Sequence, residues 1–234
     1  MAWVPCALRP LFLSSISVRI MRMKLLMAVG MTAFVSLAGC KLVKTGNAEG
    51  QAPVAGEAGD EARIAALLQE TYDAKLVPLL RSKATDLVTL RTELAKSLDE
   101  AGKALGVRAG GAGGSWIFPV KASGKIIEEN RQSKAGTASV DIDGDGQADA
   151  TLQLGTVVKG TALRDVAPSV YDFSKFRDQI EFAKLGRALN DKAVSALPAA
   201  GSLQGKTVTF VGATSLRSAT EKPLIVPVVV EIAP

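Results

Sequence analysis

Cys40 is the first residue whose type and setting could do chemistry. It follows Leu37-Ala38-Gly39 at the end of an apolar run that starts at Leu25 and is preceded by Arg22 and Lys24. A short basic head, an apolar core of about a dozen residues and small residues before a cut make up the secretory signal layout. A cysteine directly after Ala-Gly turns that layout into a lipobox. Its thiolate is the nucleophile that takes a diacylglyceryl group, and the small side chains before it let a peptidase reach the backbone. Cleavage there leaves residues 1–39 as a signal peptide and a mature chain that begins on lipidated Cys40. The alternatives are an ordinary signal peptide, or a buried apolar helix with an incidental cysteine.

Further on, Asp141-Ile142-Asp143-Gly144-Asp145-Gly146-Gln147-Ala148-Asp149 is the sharpest internal constellation. Alternating aspartates, a glycine for the tight turn and a closing aspartate converge carboxylates on a hard cation. An EF-hand would also need a bidentate glutamate at the twelfth position, where Leu152 stands, and flanking helices, where the pattern predicts strands. The string is more similar to the β-hairpin calcium loops of integrin-type propeller repeats. That resemblance implies Ca2+ as cofactor, with side-chain ligands from Asp141, Asp143, Asp145 and Asp149 and a backbone carbonyl from Gln147. The alternative is a polar hairpin whose Asp and Gly residues merely shape the turn.

Arg164 and Asp165 follow Gly160-Thr161-Ala162-Leu163. Arg164 could grip a carboxylate or phosphate by a forked bond, with Asp165 and Gln179 as companions. Equally, Arg164 and Asp165 could form an internal ion pair. Gln179 and Asn190 sit on a mostly apolar stretch and are expected to be satisfied within the fold. The glycine-rich Arg108–Gly114 segment lacks the helix start and Lys-Ser/Thr pair of a phosphate cradle and reads as a linker.

Composition removes several function classes. The chain has no histidine, and so lacks the commonest general base and transition-metal ligand. Its two cysteines are Cys6 and Cys40, so no disulfide or thiolate metal site is expected in the mature part. Of 28 basic residues four precede Cys40, which leaves 24 against 23 acidic ones. A near-neutral mature chain offers no electrostatic footprint for nucleic acid. Pro5, Pro10 and Arg19 suit neither a basic head nor an apolar core, so residues 1–20 read as a mis-assigned start, with translation beginning at Met21 or Met23; the alternative is a longer head region.

The elements that must position these residues follow in order. Residues 40–59 are rich in Gly, Ala and Glu and read as a tether. Residues 60–234 read as a single periplasmic domain, helical over 60–106 and β-rich over 115–234. Asp60 is expected to cap a helix through Leu80 with Ile64, Leu68, Tyr72 and Leu76 on one line, and Pro78 to kink or end it. A second helix from Thr85 or Asp86 to Gly106 carries a seam of Leu87, Leu90, Leu94, Leu98, Ala101 and Leu105.

Strands are expected at Trp116–Val120, continuing past a bend at Ser123-Gly124 to Lys125–Glu129, then at Ala138–Ile142 and Ala150–Leu154, the last with an extension over Gly155–Lys159. A helical segment over Phe173–Leu197, capped by Asp172 or Ser174, slips its apolar phase near Gly186. Strands at Thr207–Val211 and Leu224–Ile232 close the chain, the last lying at an edge or bending because of Pro223 and Pro227. The fold class is α+β: an OB-like β-barrel of five to six strands with an inserted helix, preceded by two amphipathic helices. A simple sheet with a helical layer competes.

Together, Cys40-Lys41, the two helices, the Trp116 strand, the aspartate hairpin, Gly160–Asp165 and Gln179–Asn190 resemble the predicted periplasmic lipoproteins grouped as domain of unknown function 2291. The resemblance covers most of the mature chain. It implies an accessory role beside sugar-type ABC transport systems and supplies no catalytic residues. The expectation is therefore a non-enzymatic binding or scaffolding lipoprotein. It would be anchored in the bilayer through acylated Cys40, with transporter components as partners and no nucleic acid. Lys41 in place of an aspartate after the cysteine favours the outer over the inner membrane. The alternative is a carboxylate-dependent hydrolase of the cell envelope built on Asp141–Asp149.

Overall fold

The computed structural model describes residues 56–111, 113–197 and 201–233. The expected leader, Cys40 and most of the expected tether lie outside the described residues. By its contacts the chain divides into Met1–Gly50 and Gln51–Pro234, and the described residues all belong to the second unit.

Helix α1 (Asp60–Thr71) runs through a π turn at Tyr72–Leu76 into α2 (Val77–Lys83). Ile64, Leu68, Tyr72, Leu76 and Leu80 are all buried. A strict four-residue spacing drifts by about 40° per step around a 3.6-residue helix. The wider π turn takes up that drift and keeps the stripe on one face. Of the two outcomes expected of Pro78, an end is not seen: the proline stands at the start of α2, directly after the π turn at Tyr72–Leu76, where the helix leaves regular α geometry.

The second expected helix is two. Helix α3 (Leu87–Lys96) is capped by the Asp86 side chain on Val88 N at 2.9 Å, and α4 (Leu98–Leu105) by Ser97 on Glu100 N at 3.3 Å. Ser97 is extended, and Asp99 and Glu100 follow it, so this point of the seam carries all the signals of a helix start. Leu87, Leu90, Leu94 and Ala101 are nevertheless buried together.

Seven strands form one sheet. Two are short: β1 (Thr85–Asp86) and β2 (Val107–Arg108) flank β3 (Trp116–Asn130). The others are β4 (Thr137–Asp141), β5 (Ala150–Gln153), β6 (Thr207–Leu216) and β7 (Leu224–Ile232). β3 pairs with β6 over Trp116–Lys125 and with β4 over Lys125–Asn130. β4 continues to β5, β5 pairs in parallel with β7, and β7 returns through β6 to β3. Where β3 changes partner, a Cβ on Gly124 would run into the Asp141 carbonyl oxygen, so glycine permits the crossing. No strand extends over Gly155–Lys159; the Leu154 and Gly155 N–H groups donate to the Gly136 carbonyl instead.

Between β5 and β6 lie α5 (Ala162–Asp165), a 3-10 turn at Phe173–Lys175 and α6 (Gln179–Ser195). The expected helix over Phe173–Leu197 thus starts later. Asp172 caps only the short turn, and Asp178 caps α6 by accepting from Glu181 N at 2.8 Å. The helix does not break at Gly186. Leu185, Leu189 and Ala193 form its buried face, whereas Ile180 is 55% exposed. Phe176, ahead of the helix, is partly buried beside the same cluster.

Pleat alternation sorts the strands into two apolar clusters. Trp116, Phe118 and Val120 face α3 and α4, and Ile117 faces the cluster of α1, α2, α5 and α6. β7 is interior rather than an edge strand. Gly212 lies opposite Pro227 and Val211 opposite Val229, so Val228 is an extra residue. This bulge accommodates the proline and reverses the strand's faces. Val226 and Val228 pack toward the helices of the second cluster, and Val230 and Ile232 toward the first.

Gly102 of α4 lies against the Trp116 indole, whose Nε1 donates to Asp99 at 2.9 Å and over whose ring the Arg108 guanidinium stands at 4.1 Å. A methyl group at Gly102 would overlap the indole carbons. Gly102→Ala should gain about 1 kcal/mol of helix propensity elsewhere. Here it is expected to cost about 1–3 kcal/mol through overpacking. A urea melt showing a more stable variant would refute this packing.

Candidate functional site

The aspartate string forms the hairpin between β4 and β5. Asp141, buried at the end of β4, accepts from Gly144 N at 2.7 Å and Gly146 N at 2.9 Å. Both glycines have positive φ, 83° and 82°, the left-handed conformation that wraps the chain around the carboxylate. Asp149 Oδ2 accepts from Ile142 N at 2.7 Å and Asp143 N at 3.3 Å. Oxygens of Asp141, Asp143 and Asp149 all lie within 4.8 Å of one another. Asp145 and Gln147 are not part of this group: Asp145 accepts from the Gln147 backbone N at 2.7 Å and from its Nε2 at 3.2 Å.

A cation already faces the cluster. Arg91 of α3 donates through Nη1 to Asp149 Oδ1 and stands 3.5 Å from Asp143 Oδ2. Leu152, at the twelfth position of the loop, is fully buried in β5.

Arg164 and Asp165 meet at α5. Arg164 donates through Nε to Asp165 at 2.7 Å, through Nη1 to the Phe182 carbonyl at 3.1 Å and through Nη2 to Thr161 Oγ1 at 3.3 Å. Its guanidinium lies 4.0 Å from the Phe182 ring centroid. Thr161 Oγ1 in turn donates to Asp165 at 2.6 Å. These bonds tie α5 to α6. Gln179 is exposed on the first turn of α6 and is not drawn into this group. Asn190 donates to the Gly160 carbonyl at 3.0 Å, but its buried Oδ1 has no partner among the described residues, so it is only half satisfied.

The densest polar constellation is one that sequence reasoning missed. Asp60 does not cap α1; it is the helix's first residue, with its side chain fully buried. It accepts from Arg63 at 2.5 Å, from Lys184 at 2.8 Å and from Arg177 at 3.0 Å and 3.3 Å. Donation from the Lys184 ammonium holds its carboxyl below the ordinary carboxylate range, and Arg177 adds to this against the cost of burial. Lys184 is correspondingly raised by Asp60. Glu181, also buried, accepts from Arg63 Nε at 3.0 Å and from Arg177 N at 2.7 Å. The only local signal was the Asp60/Arg63 spacing; Arg177, Lys184 and Glu181 lie more than 110 residues away.

Beside this network a cavity of about 620 Å³ opens between α1 and the start of α6. Ile64, Leu67, Val170 and Phe176 form its apolar lining.

Three comparisons bear on this arrangement. A family model described as "Predicted periplasmic lipoprotein (DUF2291)" matches residues 31–231. No curated protein matches. A solved structure of an OB-fold protein from Thermotoga maritima is similar over 74% of this chain and 98% of its own, at 17% identity and a TM-score of 0.55. Likeness at that identity shows the fold.

Proposed function

The chain belongs to the predicted periplasmic lipoprotein family DUF2291, and from that membership we propose a lipid-anchored protein that binds or scaffolds rather than catalyses. Its anchor is acylated Cys40, its compartment the periplasm with Lys41 favouring the outer membrane, and its partner a sugar-type ABC transporter that it serves as an accessory. The returning circuit of β3, β4, β5, β7 and β6 is read as an OB-like barrel carrying helices on its outside.

The observation that supports a non-enzymatic role is how the polar side chains are engaged. Arg164, Asp165, Asp60 and Glu181 all bond within the chain, across elements they hold together, and the sequence offers no histidine to act as a base. Affinity capture of the acylated protein from native membranes is expected to recover transporter components. Recovery of none would overturn the accessory role. Mass spectrometry of the same material should find a diacylglyceryl group on an amino-terminal Cys40; a bare thiol would overturn the anchor.

The aspartate hairpin is proposed to hold one structural Ca2+, with Asp141, Asp143 and Asp149 as its nearest carboxylates. Asp145 and Gln147 would complete the ligand set. A bound ion would relieve Arg91 of its role as counter-cation. For a site of the weak extracellular class, Ca2+ at about ten times Kd adds about 1.4 kcal/mol. That corresponds to a rise in melting temperature of roughly 3–6 °C. Asp141→Ala should abolish the rise. A wild-type melting temperature unmoved by millimolar Ca2+ would leave the hairpin as a turn.

A further inference from the structure

We propose that the cavity between α1 and α6 is a binding site for an amphiphilic monoanion, an apolar body bearing one carboxylate. Its size lies in the range of small-ligand sites. Ile64 and Leu67 from α1, with Val170 and Phe176 from the connection into α6, give an apolar floor able to desolvate a short alkyl or aryl body.

The rim is cationic: Arg63, Lys175 and Arg177 line it, with Glu181 the one acid. Both oxygens of Glu181 are engaged, by Arg63 Nε and by Arg177 N, so this carboxylate is not turned against a ligand. Arg177 uses three N–H donors on Asp60 and Asp178, and its remaining donors are unbonded among the described residues. Lys175 is exposed, with Asp172 as its electrostatic neighbour and no hydrogen-bond partner among the described residues. Asp60 and Asp178 behind the rim fix the Arg177 guanidinium in place before any ligand arrives, which lowers the ordering cost of binding.

The same acids offset much of the rim's charge, which fits a single negative charge better than a dianion. Among the described residues the lining holds no Asn, Gln, Ser or Thr, the amide and hydroxyl groups that would read a sugar ring.

The test uses the full mature chain carrying Cys40→Ser, so that no acyl group of its own competes. Calorimetric titration with octanoate should give saturable one-site binding, and 1-octanol, with the same body and no charge, should bind about tenfold more weakly, the loss expected for one charge-assisted hydrogen bond. Lys175→Glu, at an exposed position, should weaken octanoate by about tenfold and leave octanol unchanged. Val170→Trp, which fills the cavity, should remove both. Absence of octanoate binding, equal affinity for octanoate and octanol, or octanoate binding unaltered by Lys175→Glu overturns the proposal. The inference deepens the binding role proposed above and rests on it. The two remain separable: an empty membrane capture would leave octanoate binding intact, and the converse holds.

Discussion

Phe118→Ala is expected to lower the unfolding free energy by about 3–5 kcal/mol. Phe118 is fully buried on β3, opposite Thr214 of β6, in the cluster shared with α3 and α4. A neighbour on one side is Gly106, where even an added Cβ would come within 3.0 Å of the ring, so no flexible side chain stands there to fill the void. The surrounding strands are locked in register on both sides of β3 and cannot collapse inward. The measurement is the shift in urea midpoint at unchanged m-value. Val88→Ala, at a half-exposed position of α3, serves as the control and should change stability by less than about 0.5 kcal/mol. A Phe118→Ala loss no larger than the control's would mean that the interior is not packed as described.

The second large effect is expected from Asp60→Asn. The substitution keeps the shape and removes the charge that Lys184 and Arg177 share at the start of α1. Removing the charge of the one fully buried member withdraws the carboxylate that three half-buried cations converge on; Arg63 keeps Glu181 and Arg177 keeps Asp178, so the loss falls mainly on Lys184 and on the tie between α1 and α6. The expected result is a fall of several degrees in melting temperature at pH 7. Because the folded-state pKa of Asp60 lies below its ordinary value of 3.8, the wild-type advantage is fully present above that pH. It is lost as pH falls through the lower folded value. Wild type and variant should therefore differ constantly from neutrality down to about pH 4 and converge below it. A difference that stayed flat to pH 2 would show that charge at Asp60 is not what holds this corner.

The strand order was legible because its signals are local. Alternation marked Ala138–Ile142 and Ala150–Leu154, and the Asp-Gly string marked the hairpin between them. The break between α3 and α4 is also written locally, as Ser97 followed by Asp99 and Glu100, but the leucine seam across it speaks for one helix. The seam was in fact satisfied on both sides of the break. Pro227 left an edge or a bend open: the strand is interior and takes the proline through the extra residue Val228, a bulge whose position has no signature in a run of valines. The Asp60 network was out of reach. Its members sit at unremarkable surface-like positions, and only the docking of α6 against α1 gives them one carboxylate in common.

The double pairing of β3 bears on how the chain acquires its shape. Trp116 meets Leu216 and Lys125 meets Thr207, so the seam that completes the circuit joins residues separated by 82 to 100 positions. Such distant pairings form slowly, because chain entropy is lost well before contacts compensate for it. A polypeptide emerging amino end first would present β3, β4 and β5 with raw edges until β6 and β7 arrive. That interval is when a holding chaperone would matter most, and a stop codon ahead of Leu224 would leave the β5 and β6 edges that β7 covers permanently open.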